Sequence, residues 1–181
     1  MIADAQLAAS RDPGEGGAHV SFMNSGGIRS NLLFAPSGGE RPGQVTFAEL
    51  FSVHPFGNYL VTMTLTGRQI HMLLEQQWEN RPARNMLMPS QGFSYAWSRS
   101  GTEGARVDSS AIRINGEAID PAARYRVTVN SFLADGGDGF PVFREGKERM
   151  DGVSDIDALE EYLGAQSPLA PAAPGRIRGL P

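Results

Sequence analysis

Tyr125 to Phe140 reads YRVTVNSFLADGGDGF, and its pattern changes halfway. From Tyr125 to Phe132 apolar and polar side chains alternate, the period-two signature of a strand. The alternation breaks at Gly136-Gly137-Asp138-Gly139, where glycine allows backbone angles that other residues avoid. Phe132 leaves the strand just before this turn, and Asp138 sits between glycines. A carboxylate so placed can accept hydrogen bonds from two vicinal hydroxyls of a sugar. The alternative is an aspartate that only closes a turn. A calcium loop does not fit, because oxygen ligands do not recur at EF-hand spacing.

Two earlier segments follow the same logic. His19 to Met23 reads as a short, largely buried strand that ends at Asn24-Ser25-Gly26-Gly27-Ile28-Arg29. Paired glycines let backbone N–H groups approach a ligand without interference from Cβ. Arg29 supplies a planar fork suited to phosphate or carboxylate, and Asn24 offers both a donor and an acceptor. The alternative is an ordinary turn with a solvated arginine. In His54-Pro55-Phe56-Gly57-Asn58 the aromatic lies between a rigid φ and a permissive one. Its ring is placed either to stack on a planar ligand or to fold back into the core.

Around these loops the chain mixes helices and hairpin-type strands without a βαβ rhythm, which predicts an α+β fold in a single domain. Ile2 to Ala9 reads as helix from its first residue with no N-cap before it, as in a chain cut from a larger protein. Thr46 with Glu49, and Thr66 with Gln69, are capping boxes that open helices. The second of these places Ile70, Leu73, Leu74 and Gln77 on one face. Tyr59 to Leu65 and Phe93 to Trp97 read as strands, and Asn115-Gly116 marks a hairpin. A last helix starts near Ser154, with Ile156, Leu159 and Leu163 inward. The domain is expected to span residues 1–164, with 165–181 as an irregular proline-rich tail.

With 181 residues the chain can bury a core without a disulfide or metal staple, and it has no cysteine to build either from thiolates. A net charge of −4 and a single lysine, Lys147, argue against a nucleic-acid partner, which would need clustered cations. No apolar run approaches the roughly 20 residues that span a bilayer, and no secretion signal is visible. His19, His54 and His71 are scattered and none is read as having a second metal ligand three or four residues on, so no metal or catalytic residue is expected in this chain.

Taken in order, Asn24–Arg29 (NSGGIR), Pro55–Asn58 (PFGN), Leu65–Ile70 (LTGRQI) and Asn130–Phe140 (NSFLADGGDGF) resemble the C-terminal, substrate-binding domain of 5′-nucleotidases and UDP-sugar hydrolases. The resemblance implies a nucleotide clamp. Phe56 and Phe132 match the aromatics that sandwich the base, Asp138 beside Gly137 the acid that holds the ribose hydroxyls, and Arg29 an arginine that contacts phosphate. Asn24 and Asn58 match positions near the base, Gly26 and Gly27 belong to the same substrate-binding set, and Gly92 matches a position where backbone lines the base pocket. It also implies a secreted or envelope protein. Hydrolysis would belong to an N-terminal metallophosphatase domain of the same polypeptide, holding two divalent metal ions, so that this chain alone binds no cofactor and is inert. The alternative is a free-standing nucleotide-binding or interaction module without chemistry.

Overall fold

Strand β7 (Arg124–Asn130) lies at the centre of the larger sheet. On one side it pairs in parallel with β1 (Val20–Asn24), and on the other antiparallel with β2 (Tyr59–Thr66). The short β3 (Leu87–Pro89) and the edge strand β8 (Lys147–Ser154) complete the five-stranded order β3-β1-β7-β2-β8. A second sheet is built from β4 (Phe93–Ser98), β5 (Arg113–Ile114), β6 (Glu117–Ala118) and β9 (Ile177–Leu180) in the order β6-β5-β4-β9. This computed structural model describes residues 1–79 and 85–181. With its two mixed sheets and flanking helices the chain is α+β, as its pattern predicts.

Alternation ordinarily marks a sheet with one wet face, but here both faces are covered. Val127 and Val129 join Phe22, Val61, Met63 and Leu65 in the main core, against helix α3 (Gly67–Glu75) and the second sheet. The other face carries Ser21, Thr62 and Thr128, all buried under helix α1 (Ile2–Ser10). There the Thr128 hydroxyl lies 2.7 Å from both Ser10 Oγ and Thr62 Oγ1, and Ser21 Oγ donates to Gln6 Oε1 at 2.8 Å. The hydroxyls thus satisfy one another, which removes the cost of burying them.

Both capping boxes form. Thr46 opens helix α2 (Phe47–Val53), and Thr66 opens α3, where Ile70, Leu73 and Leu74 are buried as the spacing predicts. Asn115 and Gly116 take φ of 53° and 87°, the left-handed pair that a tight hairpin between β5 and β6 requires. Helix α5 (Asp155–Gln166) packs Leu159 with Ile2, Met23, Leu50 and Val53 in a second, smaller cluster beside α1 and α2.

Two elements differ from expectation. β7 stops at Asn130 rather than Phe132, because the Asn130 side chain accepts from Leu133 N–H at 2.9 Å and caps a short helix, α4 (Ser131–Ala134). Nor is the stretch after residue 164 irregular throughout: α5 runs to Gln166, and β9 pairs in parallel with β4. Arg176, just before β9, closes a two-point ion pair on buried Asp4, at 2.8 and 3.0 Å. A four-residue strand among glycines and prolines has no local signature. Its partner strand lies in the middle of the chain, and the partner of Arg176 near its start.

This topology positions three loops. Because β1 and β7 are parallel, Asn24 and Asn130 end at the same edge of the sheet, and Leu60 at the start of β2 stands opposite Asn130. The segments after β1, before β2 and after β7 therefore converge.

Candidate functional site

Where they converge lies a cavity of about 310 Å³, lined by Asn24, Gly26, Gly27, Arg29, Phe56, Asn58, Asn130, Phe132 and Asp138. Eight of the ten residues expected from the sequence are in this lining. Phe56 and Phe132 are 50% and 48% exposed, so neither ring has folded back into the core. Phe56 is carried between Pro55 and Gly57, whose φ of 60° turns the chain back into β2. Arg29 holds its guanidinium carbon 5.7 Å from the Phe56 ring centroid and donates from Nη1 to Gly26 O at 3.3 Å. A cation so placed is attracted to the ring and steadies it.

The asparagines and the aspartate form a chain of hydrogen bonds. Asn130 Nδ2 donates to Asn24 Oδ1 at 3.0 Å, and Asn24 Nδ2 donates to Asp138 Oδ2 at 2.7 Å. Asn24 and Asn130 are buried. Asp138 is held at φ 52°, a left-handed conformation that aspartate tolerates better than most residues. The two glycines of the β1 loop make room for this chain. A Cβ on Gly27 would stand 3.0 Å from Asn24 Oδ1 and collide with the Met23 methyl, whereas one on Gly26 would lie at an ordinary 3.4 Å from Asp138 Oδ2. Asn58 is held by its backbone, since its carbonyl accepts from Asp155 N–H at 2.9 Å.

Behind the cavity a buried pair joins the loops. His54 Nδ1 lies 3.0 Å from Gly27 O, and its Nε2 lies 2.6 Å from Asp155 Oδ2. Burial alone would push the imidazole down, but the Asp155 carboxylate and the Gly27 carbonyl outweigh it and hold His54 above its ordinary value. The β1 loop, the Phe56 loop and the start of α5 are thus fastened at one side chain. His54, Asp155 and Asn130 were not among the expected site residues. Only Asn130 carried a local signal, an Asn where a strand pattern gives way to Ser-Phe-Leu, as an N-cap would.

Two expected residues lie outside the lining. Gly137 sits against the Phe132 ring, where a Cβ would come within 2.6 Å of it, so it supports the wall rather than forming it. Gly92 lies away from this cavity. β3 runs antiparallel to β1 with Leu87 opposite Asn24, which puts the turn after β3 at the far end of the sheet. There Gly92, at φ 83°, accepts from Asn115 N–H and abuts the hairpin.

Among the described residues no group of three or more His, Asp or Glu is arranged to hold a metal ion. Glu75 does stand four residues after His71, a spacing overlooked in the sequence, at 3.7 Å. Its two oxygens, however, accept from Arg106 and Val107 N–H, and His71 Nε2 faces Val107 O. No described helix is long and apolar enough to cross a membrane. A larger hollow of about 480 Å³ lies beside Met1, Met23, Leu32 and Pro174, but none of the motif residues that carry functional side chains reaches it.

Comparison with known proteins bears on this architecture. The chain is 34% identical over 184 residues to the trifunctional nucleotide phosphoesterase protein YfkN of Bacillus subtilis, covering 98% of this chain and 12% of that protein. It is 34% identical over 171 residues to an apyrase of Tabanus yao, covering 88% and 29% respectively. Among solved structures, a 5′-nucleotidase precursor from Thermus thermophilus superposes with a TM-score of 0.79 at 35% identity, over 99% of this chain and 34% of the other. The chain therefore spans about a third or less of the length of these relatives. The profile of one family, described as 5′-nucleotidase, C-terminal domain, matches residues 1–145. That match covers most of the sequence, and the chain belongs to the 5′-nucleotidase C-terminal domain family.

Proposed function

We propose that this chain is the nucleotide-recognition part of a metal-dependent 5′-nucleotidase of the cell envelope or exterior. It binds base and ribose while another domain of the polypeptide cleaves the phosphate ester. The observation that carries this reading is the meeting of two half-exposed phenylalanine rings and one carboxylate in a single cavity. The rings suit a nucleobase, for which stacking contributes ~1–3 kcal/mol per base and is indifferent to base identity. Asn24 occupies Asp138 Oδ2, which leaves Oδ1 to accept from the ribose hydroxyls. Arg29 at the rim suits a phosphate. Among the described residues none are grouped as a two-ion centre would need. The divalent ions that the family's hydrolysis implies belong, in this proposal, to the other domain, as do the substrate's reacting atoms.

These contacts must offset several kcal/mol of lost translational and rotational freedom. Stacking and a carboxylate–hydroxyl bond of ~1.5–3 kcal/mol leave a small surplus, so millimolar to high-micromolar affinity is expected for the chain alone. Titration with adenosine, adenine and 2′,3′-dideoxyadenosine, followed by NMR, tests the reading. Asp138→Ala should weaken adenosine selectively, whereas Phe132→Ala should weaken all three. Equal losses for the three ligands in Asp138→Ala would show that this residue shapes the loop and does not hold the sugar. The chain alone should not turn over AMP with Mg²⁺, Mn²⁺, Zn²⁺ or Co²⁺, and turnover by a preparation free of other phosphatases would refute that division of labour.

A further inference from the structure

The Asn130 side chain is buried between two parts of the candidate site and bonds to both. Its Oδ1 accepts from Leu133 N–H and so caps α4, the helix that carries Phe132. That bond settles which way the amide faces, because only an oxygen can accept there. Nδ2 must then point at Asn24, which presents Oδ1, and Asn24 Nδ2 must in turn point at Asp138 Oδ2. The capping bond therefore fixes the donor and acceptor order along the whole chain. Asp138, which lines the cavity, is left with one oxygen committed to Asn24.

We propose that Asn130 is a positioning residue for nucleoside recognition, setting the orientation of Asp138 through Asn24 while the same side chain seats the helix that bears Phe132. The inference rests on the reading of the cavity as a nucleoside site, and it adds a buried residue of the cavity wall that couples sugar recognition to base stacking.

Asn130→Asp separates the two roles. Aspartate is as good an N-cap as asparagine, so α4 and Phe132 stay in place. It cannot donate to Asn24, however, and its second oxygen repels Asn24 Oδ1. Asn24 then turns its amide toward residue 130 and presents oxygen to Asp138 Oδ2, which moves away. In the wild-type 181-residue chain, adenosine should bind roughly tenfold or more tightly than 2′,3′-dideoxyadenosine, as a carboxylate–hydroxyl bond implies. In Asn130→Asp this ratio should fall below about threefold, while adenine binds as before. The Asn24 side-chain amide should move in ¹H–¹⁵N spectra without ligand. Asn130→Ser, which also caps but is too short to reach Asn24, gives the same test should the aspartate variant not fold. A variant that keeps the wild-type ratio, or an Asn24 amide that does not respond, overturns the inference alone. A wild-type chain that does not prefer adenosine overturns the nucleoside reading, and the role of Asn130 in sugar recognition falls with it.

Discussion

His54 Nε2 stands 2.6 Å from Asp155 Oδ2, and neither side chain has any exposed surface. The other ring nitrogen faces a second acceptor, the Gly27 carbonyl. A carbonyl at one nitrogen and a carboxylate beside the other favour an imidazolium, paired with Asp155 by charge rather than by an aligned hydrogen bond. The raised pKa of His54 agrees in direction. Since the folded value lies above that of the unfolded chain (about 6.5), the pair's stabilisation is complete below that pH. It is lost as pH rises through the folded value. Denaturant midpoints should therefore fall from pH 6 toward pH 9, and in Asp155→Asn this decline should disappear. A wild-type midpoint that is flat or rising over that range would contradict the imidazolium. His54→Ala should cost roughly 3–5 kcal/mol, because it strands a buried carboxylate.

The glycines of the β1 loop should respond unequally. Gly27→Ala pushes a methyl into Asn24 and Met23 and should destabilise by about 1–3 kcal/mol, as overpacking does. It should also weaken adenosine binding. Gly26→Ala meets only ordinary contact and should change stability by less than about 1 kcal/mol. Paired thermal melts of the two variants check the contrast, and equal effects would mean that the loop is not held against Asn24 as described.

Asp138 carries a different trade. At φ 52° it sits where glycine is at ease, and glycine there would relieve strain worth about 1 kcal/mol while losing the Asn24 bond to a carboxylate, worth ~1.5–3 kcal/mol. Asp138→Gly should accordingly lose no more than about 2 kcal/mol of stability and yet lose its preference for ribose over dideoxyribose. A loss of several kcal/mol in chemical denaturation would show that the carboxylate is chiefly a structural tie.

The last strand depends on a charge at the first helix. Asp4 is buried. Burial pushes its carboxyl up, but Arg176, the Gln91 N–H and the chain's amino group outweigh this and hold it below the usual range. Its stabilisation is therefore present above the unfolded carboxylate value and is lost as pH falls through the lowered folded one. Asp4→Ala should cost about 2–4 kcal/mol. It should also release β9, raising amide exchange at residues 177–180. Unchanged protection there would show that β9 holds without the ion pair.

The strand–loop junctions of the site were legible in the sequence because each depends on local chemistry. Pro55 and Gly57 flank Phe56, Gly26 and Gly27 follow a short apolar strand, and glycines surround Asp138. The capping boxes at Thr46 and Thr66 were legible for the same reason. What escaped was set by pairing across the chain. The His54–Asp155 pair and the Arg176–Asp4 pair each join residues with no common local pattern. The place of Gly92 follows from the antiparallel register of β3 on β1, which no short motif encodes. The burial of the hydroxyls of β7 and β2 was not legible either, since alternation shows polarity but not what covers it.

The parallel pairing of β1 with β7 sets an order of events during folding. Asn24 and Asn130 are 106 residues apart, and no hairpin can bring them together. Closing so long a segment is slow, since its entropy is lost before the contacts that repay it have formed. Emerging from the ribosome, the chain would carry Asn24 and Phe56 in solvent until β7 arrived. Nucleoside binding would then report completion of the sheet, and a ligand that meets only the finished sheet should slow unfolding without speeding refolding.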